Sequence, residues 1–490
     1  MRMNNRYFIT LLLLLLLGSS AYTWGVLHHG HMRGDHLREL DTSASDLWFT
    51  QKLDHFDPTN NETWQQRYFI NDTLYKEGGP VFLMIGGEGK ANPIWMSEGM
   101  WIEYARLFNA LCFELEHRYY GKSHPTEDLS VKNLVYLSSE QALADLSYFI
   151  EKMNEQYNLS ESTEWVAFGG SYPGSLATWI RIKYPHQVHA AVSATYMDVV
   201  RDSLATHSEE CVANVADATK QVGVLLKHRL GQQHLDKLFR LCDTVVDANK
   251  LDISNLYQTL AGNIAGVVQY NKDNRAFEGA KDANLTIDTV CDMMDDTSLG
   301  SVVSRYAAVN SHMLDIYDEK CLDFKYEKMI QEYRNTSWDA STAEGGRQWL
   351  YQTCTEFGFY QTSSSPDQPF GNQFPVDFFT QQCSDIFGPR YNMDLLTSGI
   401  ERTNVMYGGL HPEVSRVVFV HGSIDPWHAL GVLKPLSAQT YAIYINGTAH
   451  CANMYPESPN DSSALIAARH SIIGLLAQWL QSSEPGFQLV

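Results

Sequence analysis

Three short segments that lie far apart in the chain carry a serine, an aspartate and a histidine, in that order. They are GGSYPG with Ser171, HGSIDPW with Asp425, and GTAH with His450. A serine hydroxyl is a poor nucleophile unless a base lies within hydrogen-bond reach, and a histidine base needs a carboxylate to fix its tautomer. The three segments therefore predict a nucleophile, Ser171, an acid, Asp425, and a base, His450.

The residues around Ser171 predict a sharp turn between a strand and a helix. Residues 164–168 are a short, apolar run typical of a buried strand, and residues 174–184 indicate a helix that Pro185 ends. Glycines relieve crowding in such a turn, and the helix N-terminus favours developing negative charge. This turn, with the order Ser, Asp, His, is typical of the α/β-hydrolase fold, so we predict the α/β class.

Two features leave alternatives open. The motif G-x-S-x-G is imperfect because Pro173 occupies the position of its second glycine, so the motif alone is a weak signal. Among 18 histidines, two others are rivals for the base. His117 follows a predicted strand but precedes the nucleophile, whereas His421 shares a loop with Asp425 and is expected to support it. The order of residues in the fold favours His450.

The oxyanion formed during acyl transfer needs two donors close to the nucleophile. We predict that they are the backbone N–H of Tyr172, which follows Ser171, and that of Gly87, in the loop after the strand at 80–85. The Tyr172 hydroxyl is expected either to add a third donor or to pack in the core. The chain has no CxxC motif, and we expect neither a metal site nor a cofactor.

Apolar runs predict strands at 80–85, 110–115, 164–168, 188–194, 416–420 and 441–445. A capping box at 138–141 opens a helix, and residues 463–480 form a last amphipathic helix. Alternating strands and helices predict a mainly parallel sheet. Helical periodicity and polar loops dominate the middle of the chain, which predicts a helical cap inserted between nucleophile and acid. The predicted divisions are a signal peptide at 1–21, a leader or propeptide-like segment at 22–47, the hydrolase domain at 48–197 and 396–490, and the cap at 198–395.

The N-terminus has the pattern of a secretory signal peptide. Arg2 and Arg6 precede an apolar run at 11–17 and small residues at 18–21. No later stretch is predicted to span a membrane, so we expect no membrane anchor. The net charge of −21 argues against nucleic acid as a partner. A homodimer is compatible with the sequence.

Cysteines and glycosylation motifs agree with secretion. Six of the eight cysteines fall between 211 and 383 and predict disulfides in the cap, namely Cys354 with Cys383, and Cys211 and Cys242 with Cys291 and Cys321. Cys112 and Cys451 are expected either as buried free thiols or as partners of each other. Asn446 lies so near His450 that it is expected to escape modification. The N-x-S/T motifs begin at Asn61, Asn71, Asn158, Asn284, Asn335, Asn446 and Asn460.

From about residue 51 to the last helix, the chain resembles the family of prolyl carboxypeptidase, dipeptidyl-peptidase II and thymus-specific serine protease. The resemblance is carried by LDHF at 53–56, QRY at 66–68, IGGEG at 85–89, EHRYYGKS at 116–123, YLSSEQALAD at 136–145 and the three triad segments. It implies an α/β-hydrolase with a helical insert that acts on peptides, often after proline, with Ser171, Asp425 and His450 at the triad positions. Met454 stands where two of the branches have arginine, which places the chain nearest the thymus-specific branch.

The sequence thus predicts a secreted or lysosomal serine exopeptidase acting on peptide substrates, of the dipeptidyl-peptidase or carboxypeptidase type. A preference for bonds after proline or a small residue follows from the resemblance. Two alternatives remain at this point: an esterase or lipase on the same fold, since a triad does not select the acyl group, and a binding protein that has lost catalysis. The intact triad argues against the second.

Overall fold

The computed structural model describes residues 12–15, 45–160, 162–182 and 196–481. Eight strands form one sheet, in the order β2-β3-β5-β4-β6-β1-β7-β8. The strands are β1 (Leu12–Leu15), β2 (Leu47–Lys52), β3 (Thr63–Asn71), β4 (Val81–Ile85), β5 (Leu111–Leu115), β6 (Trp165–Gly169), β7 (Val417–Gly422) and β8 (Thr440–Ile445).

The sheet is mixed, with parallel and antiparallel parts. From β5 through β4, β6, β1 and β7 to β8, every neighbouring pair runs parallel. At the other edge, β3 pairs antiparallel with both β5 and β2. The alternation of strands and helices did not predict this antiparallel edge, because β2 and β3 follow each other without a helix between them.

Helices cover both faces of the sheet because strand residues alternate between them. Phe82, Val166 and Val418 point to the core that holds α1 and α15, while Leu83 and Ala167 point to the core that holds α3 and α4. The helices are α1 (Met100–Phe108), α2 (Val131–Leu134), α3 (Ser139–Gln156), α4 (Tyr172–Ile182), α5 (Tyr196–Ala205), α6 (Glu209–Leu225), α7 (Arg229–Leu238), α8 (Lys250–Gln269), α9 (Ile287–Asp295), α10 (Val302–Ile316), α11 (Tyr326–Arg334), α12 (Gly346–Gln352), α13 (Val376–Phe387), α14 (Met393–Tyr407) and α15 (Ser463–Gln481).

Within the apolar run predicted as part of a signal peptide, residues 12–15 form strand β1, which lies between β6 and β7. The strand predicted at 188–194 lies outside the described residues. Cleavage of residues 1–21 remains a prediction.

The helices from α5 to α14 come between Ser171 and Asp425 in the chain and share a core of their own. Three disulfides tie this region together, and all six of their cysteines were predicted to pair. The bonds are Cys211–Cys291, Cys242–Cys321 and Cys354–Cys383. Cys112 and Cys451 are buried free thiols, which decides between the two expectations for them.

Two local predictions need correction. The Ser138 side chain caps α3 by accepting the Gln141 N–H, but Gln141 does not complete the capping box. The Gln141 side chain instead donates to Asp54 and accepts a hydrogen bond from the His55 N–H.

The second correction concerns hydropathy. One helix of the described residues, α15, is long and apolar enough to cross a membrane by length and composition, with a mean hydropathy of 1.2 over Ser463–Leu480. The sequence prediction that no later stretch passes this test is therefore wrong. Ala468, Ile472 and Leu476 of this helix pack into the core against the sheet, which accounts for its apolar character.

Candidate active site

Ser171 lies on a strained turn between β6 and α4. Its φ of 55° is in the left-handed region, which a non-glycine residue seldom adopts. Gly169 is needed because a Cβ there would lie 2.3 Å from the Pro173 carbonyl oxygen. The Ser171 carbonyl accepts the N–H of Gly174, so the helix begins directly after the serine. Pro173 fits this first turn, where a missing N–H costs no helical hydrogen bond.

Asp425 follows β7 and starts the turn of 3₁₀ helix Pro426–Leu430. It is fully buried, and its Oδ1 accepts the Trp427 N–H at 2.9 Å. The preceding N–H, of Ile424, donates to the carbonyl of Thr448 at 2.9 Å. Gly422 has no room for a side chain, because a Cβ would lie 2.2 Å from that same carbonyl oxygen. The loops that carry acid and base are thus joined by their backbones.

His450 follows β8 and faces Asp425. Its Nδ1 lies 2.9 Å from Asp425 Oδ2, and both side chains are buried. Among the described residues, neither atom makes a hydrogen bond of good geometry, although the two are in close contact. Catalytic hydrogen bonds in enzymes without substrate are often loose in this way and tighten when the substrate binds.

Ser171 and His450 open onto the same cavity, whose volume is about 170 Å³. Glu88, from the loop after β4, reaches the cavity as well and is only 3% exposed. Aromatic side chains in the wall include Tyr172, Trp179, Trp349, Phe359 and Trp427, and small and aliphatic residues make up much of the rest. Ser171 and His450 therefore share one cavity, and Asp425 contacts His450 from behind it. Their roles as nucleophile, base and acid stay predictions.

The known family that matches this chain is described as serine carboxypeptidase S28, and the match covers residues 51–472. The chain belongs to the S28 family. The family resemblance given by the sequence motifs is confirmed, and this S28 chain is a serine peptidase by membership.

Three relatives show how far the similarity extends. The chain is 37% identical to "Putative serine protease K12H4.7" of Caenorhabditis elegans, over 91% of this chain and 90% of the relative. It is 34% identical to human thymus-specific serine protease, over 94% and 95% of the two chains. It is 26% identical to human lysosomal Pro-X carboxypeptidase, over 89% and 88%. The similarity therefore spans nearly the full length of each protein.

The Tyr172 hydroxyl of this S28 chain makes its hydrogen bonds within the core. It lies 3.1 Å from His117 Nε2 and accepts the Gln352 amide at the same distance. The ring packs against Trp349 and Phe357. Of the two expectations for this hydroxyl, packing in the core is the one that the structure supports.

His117 is not among the described residues that line the cavity of Ser171 and His450. Its Nδ1 lies 2.7 Å from the Arg118 carbonyl oxygen, and its other nitrogen contacts Tyr172. Burial lowers the pKa of His117 to about 4, so the ring is neutral at physiological pH. Both ring nitrogens therefore have structural partners, which favours His450 over His117 as the base.

His421, which was predicted to support Asp425, lines the cavity. Among the described residues, His421 Nδ1 has no hydrogen-bond partner. The ring lies so close to Gly431 that a Cβ there would be 2.2 Å from it. Burial lowers the pKa of His421 to about 4, although the charge of Asp425 acts in the opposite direction. A neutral imidazole here adds to the wall of the cavity.

In the loop predicted to supply the Gly87 N–H, the first amide is already hydrogen-bonded. The Gly86 N–H already donates to the Leu115 carbonyl at 2.8 Å, which leaves Gly87 as the next amide of the loop. The Tyr172 N–H is at the first turn of α4, where amides have no partner within the helix. Both positions remain candidates for the oxyanion site.

Proposed function

We propose that this protein is a serine exopeptidase of the secretory pathway that cleaves peptides through an acyl-enzyme on Ser171. The observation that carries the proposal is the shared cavity of Ser171 and His450, with Asp425 at 2.9 Å behind the imidazole. Membership of a peptidase family supports peptides as the substrate class. The three disulfides support the secretory pathway, because disulfides persist in oxidising compartments.

Each group has a role in two successive acyl transfers. His450 takes the proton from Ser171 as the Oγ bonds to the substrate carbonyl carbon, and the oxyanion lies at the N–H groups of Tyr172 and Gly87. His450 then gives the proton to the leaving amine as the C–N bond breaks. Water repeats the sequence on the ester, which releases the acid and restores Ser171. Asp425 stabilises the imidazolium in both steps.

The cavity supports a small or ring-sized residue before the scissile bond. Its volume is about 170 Å³, and an apolar cavity of about 150 Å³ holds one benzene ring. A proline ring fits this space and its aromatic walls. The name of the relative lysosomal Pro-X carboxypeptidase supports proline in the same place.

The charge at the cavity supports action at the amino terminus. Glu88 supplies the one carboxylate among the described lining residues, and none of those residues is lysine or arginine. A carboxylate attracts the α-ammonium of a peptide and repels a terminal carboxylate. We therefore propose the dipeptidyl-peptidase type rather than the carboxypeptidase type, with the helical segment at 198–395 acting as the cap that closes the cleft.

Peptides with blocked ends test this proposal directly. Matched peptides with Ala-Pro, Lys-Arg or Phe-Phe at the cleavage site are offered with a free or acetylated amino terminus and a free or amidated carboxyl terminus. We expect Ala-Pro peptides to be cleaved fastest, acetylation to abolish cleavage, and amidation to leave it unchanged.

The control is Ser171→Ala, which should cleave none of the peptides. Loss of cleavage on amidation but not on acetylation would replace the proposed direction by the carboxypeptidase type. Hydrolysis of p-nitrophenyl esters without cleavage of any peptide would instead favour an esterase.

A further inference from the structure

Gln269 belongs to the helical segment between nucleophile and acid, yet it contacts both catalytic loops. It is the last residue of α8 and is 1% exposed. Its backbone carbonyl faces the loop of His450, and its side chain faces the loop of Asp425. Both contacts consist of hydrogen bonds.

The contact with the base loop is made by the backbone. The carbonyl oxygen of Gln269 accepts the His450 N–H at 2.8 Å. Carbonyls of the last helical turn have no partner within the helix, so this bond satisfies a group that would otherwise be left buried and unpaired. The next residue, Tyr270, places its ring edge-on to the His450 imidazole, with ring centres 6.0 Å apart.

The contact with the acid loop is made by the side chain. Gln269 Oε1 accepts the indole N–H of Trp427 at 3.0 Å and the hydroxyl of Tyr196 at 2.9 Å. Trp427 is the residue whose backbone N–H donates to Asp425 Oδ1. The Gln269 side chain is therefore linked to the Asp425 carboxylate through Trp427, by one hydrogen bond from the indole and one from the backbone N–H.

We infer that Gln269 is a positioning residue that holds the acid loop and the base loop in one geometry. This inference rests on the catalytic roles proposed above for Asp425 and His450. Asp425 Oδ2 and His450 Nδ1 lie 2.9 Å apart on two different loops, so their relative placement depends on what holds those loops together. Displacements of about 1 Å at such a site reduce rates by about 10²-fold.

A pH profile distinguishes positioning from mere support of the fold. When the carboxylate of Asp425 moves away, it stabilises the imidazolium that forms on His450 less, and the acid limb of the rate profile moves with that change. Partial unfolding lowers a rate without moving its pH dependence. The titratable groups on the elements around His450 are Glu88, Tyr270, His421, Asp425 and Cys451.

The test measures the rate of Ser171 labelling by a fluorophosphonate against pH, in the full-length protein. Oγ bonds to phosphorus as fluoride leaves, so no knowledge of the natural substrate is required. We expect Gln269→Met to lower the plateau rate by about 10- to 100-fold and to move the acid limb to lower pH.

Gln258→Met is the matched control, because Gln258 is also buried in α8, three turns nearer its start. It should leave both the plateau and the acid limb unchanged. A folded Gln269→Met protein with a wild-type profile would overturn the inference, as would an equal effect of Gln258→Met.

Tyr196→Phe makes the same test if Gln269→Met does not fold, since it removes one donor and keeps the ring. A lower plateau with a moved acid limb supports positioning, and an unchanged profile contradicts it. A wild-type protein that takes no label would overturn the proposed function together with this inference, whereas a labelled wild type with unaffected variants overturns the inference alone.

Discussion

Arg118 and Asp145 are joined by two parallel hydrogen bonds in the interior of the protein. Arg118 Nε donates to Asp145 Oδ2, and Nη2 donates to Oδ1, both at 2.6 Å. Both side chains are buried. Arg118 also donates to the carbonyls of Leu53 and Tyr136, so it links the chain after β2 to the segment before α3.

Among the described residues, removal of Arg118 should leave the buried Asp145 carboxylate with His55 alone, whose Nε2 lies 2.8 Å from Asp145 Oδ1. We expect Arg118→Met to lower the free energy of unfolding by about 3–5 kcal/mol. Urea titration followed by circular dichroism measures the loss. The control is Lys132→Met, which breaks the exposed pair of Lys132 and Glu127 and should change stability little. Equal effects of the two variants would contradict the prediction.

Substitution of the triad should remove turnover and preserve the fold. Ser171→Ala and His450→Ala should each lower kcat by about 10⁴- to 10⁶-fold. Asp425→Asn should cost about 10⁴-fold, because the imidazole remains but its favoured tautomer is lost. Peptide turnover and fluorophosphonate labelling are measured, with circular dichroism to verify folding. His117→Ala should act through stability, and a folded but inactive His117→Ala protein would reassign the base.

Glu278 should make the protein less stable as the pH rises. Burial raises the pKa of Glu278 to about 7, although the Trp95 indole donates to its Oε1 at 2.7 Å. The unfolded chain ionises this carboxyl near pH 4.3, so between about pH 4.5 and 7 only the folded state keeps the proton. Stability is therefore lost through this window, by about 3 kcal/mol.

Glu278→Gln removes that dependence and keeps an oxygen for Trp95. The variant should match the wild type in urea unfolding near pH 4.5 and exceed it by about 3 kcal/mol near pH 7.5. Other titrating groups are common to both proteins and cancel in the difference. A difference that is constant with pH would show that ionisation of Glu278 plays no part.

We expect the disulfide that closes the longer loop to contribute more to the free energy of unfolding. Cys354–Cys383 spans 29 residues and Cys211–Cys291 spans 80, and all four cysteines are buried. On the chain-entropy account, replacing each pair by alanine costs about 3.5 and about 4.5 kcal/mol, respectively. Unfolding of the two double variants is compared without reductant. A larger loss for the shorter loop would contradict the entropic account.

Asn71 should escape glycosylation although it begins a sequon. Its Nδ2, the atom that would carry the glycan, donates to the Met96 carbonyl at 2.7 Å, and its Oδ1 accepts from Thr73. Asn446 was expected to escape modification because it lies near His450, but the residue is exposed. We therefore expect it to be modified. Mass spectrometry of tryptic glycopeptides should find Asn71 bare and Asn446 occupied. A glycan on Asn71 would show that modification precedes folding of this strand.

The strands of the central sheet were predictable because they are apolar runs. The predicted strands at 110–115 and 441–445 correspond to Leu111–Leu115 and Thr440–Ile445. Strands β2 and β3 were missed because polar side chains are buried in them. Gln51 donates to Gln66 Oε1 at 2.9 Å, and Arg67 pairs with Glu116. Such partners lie far apart in the chain, so hydrophobic periodicity does not reveal them.

The same limit applies to the site. Ser171, Asp425 and His450 could be singled out because chain order, strand ends and glycines mark them locally, and their catalytic roles stay predictions. The partners of Tyr172 and Trp427 could not, since Gln352 and Gln269 reach them from a different part of the fold. A glutamine within a helix carries no sequence signal of the hydrogen bonds that it will make.

The position of His450, after β8, has a consequence for biosynthesis. Ser171 leaves the ribosome well before β8 and the loop that carries His450, because those residues come much later in the chain. On the roles proposed above, a nascent chain holds its serine without a base until that loop has been made. On the same roles, fragments that lose the segment with His450 lack the base and cannot hydrolyse neighbouring polypeptides.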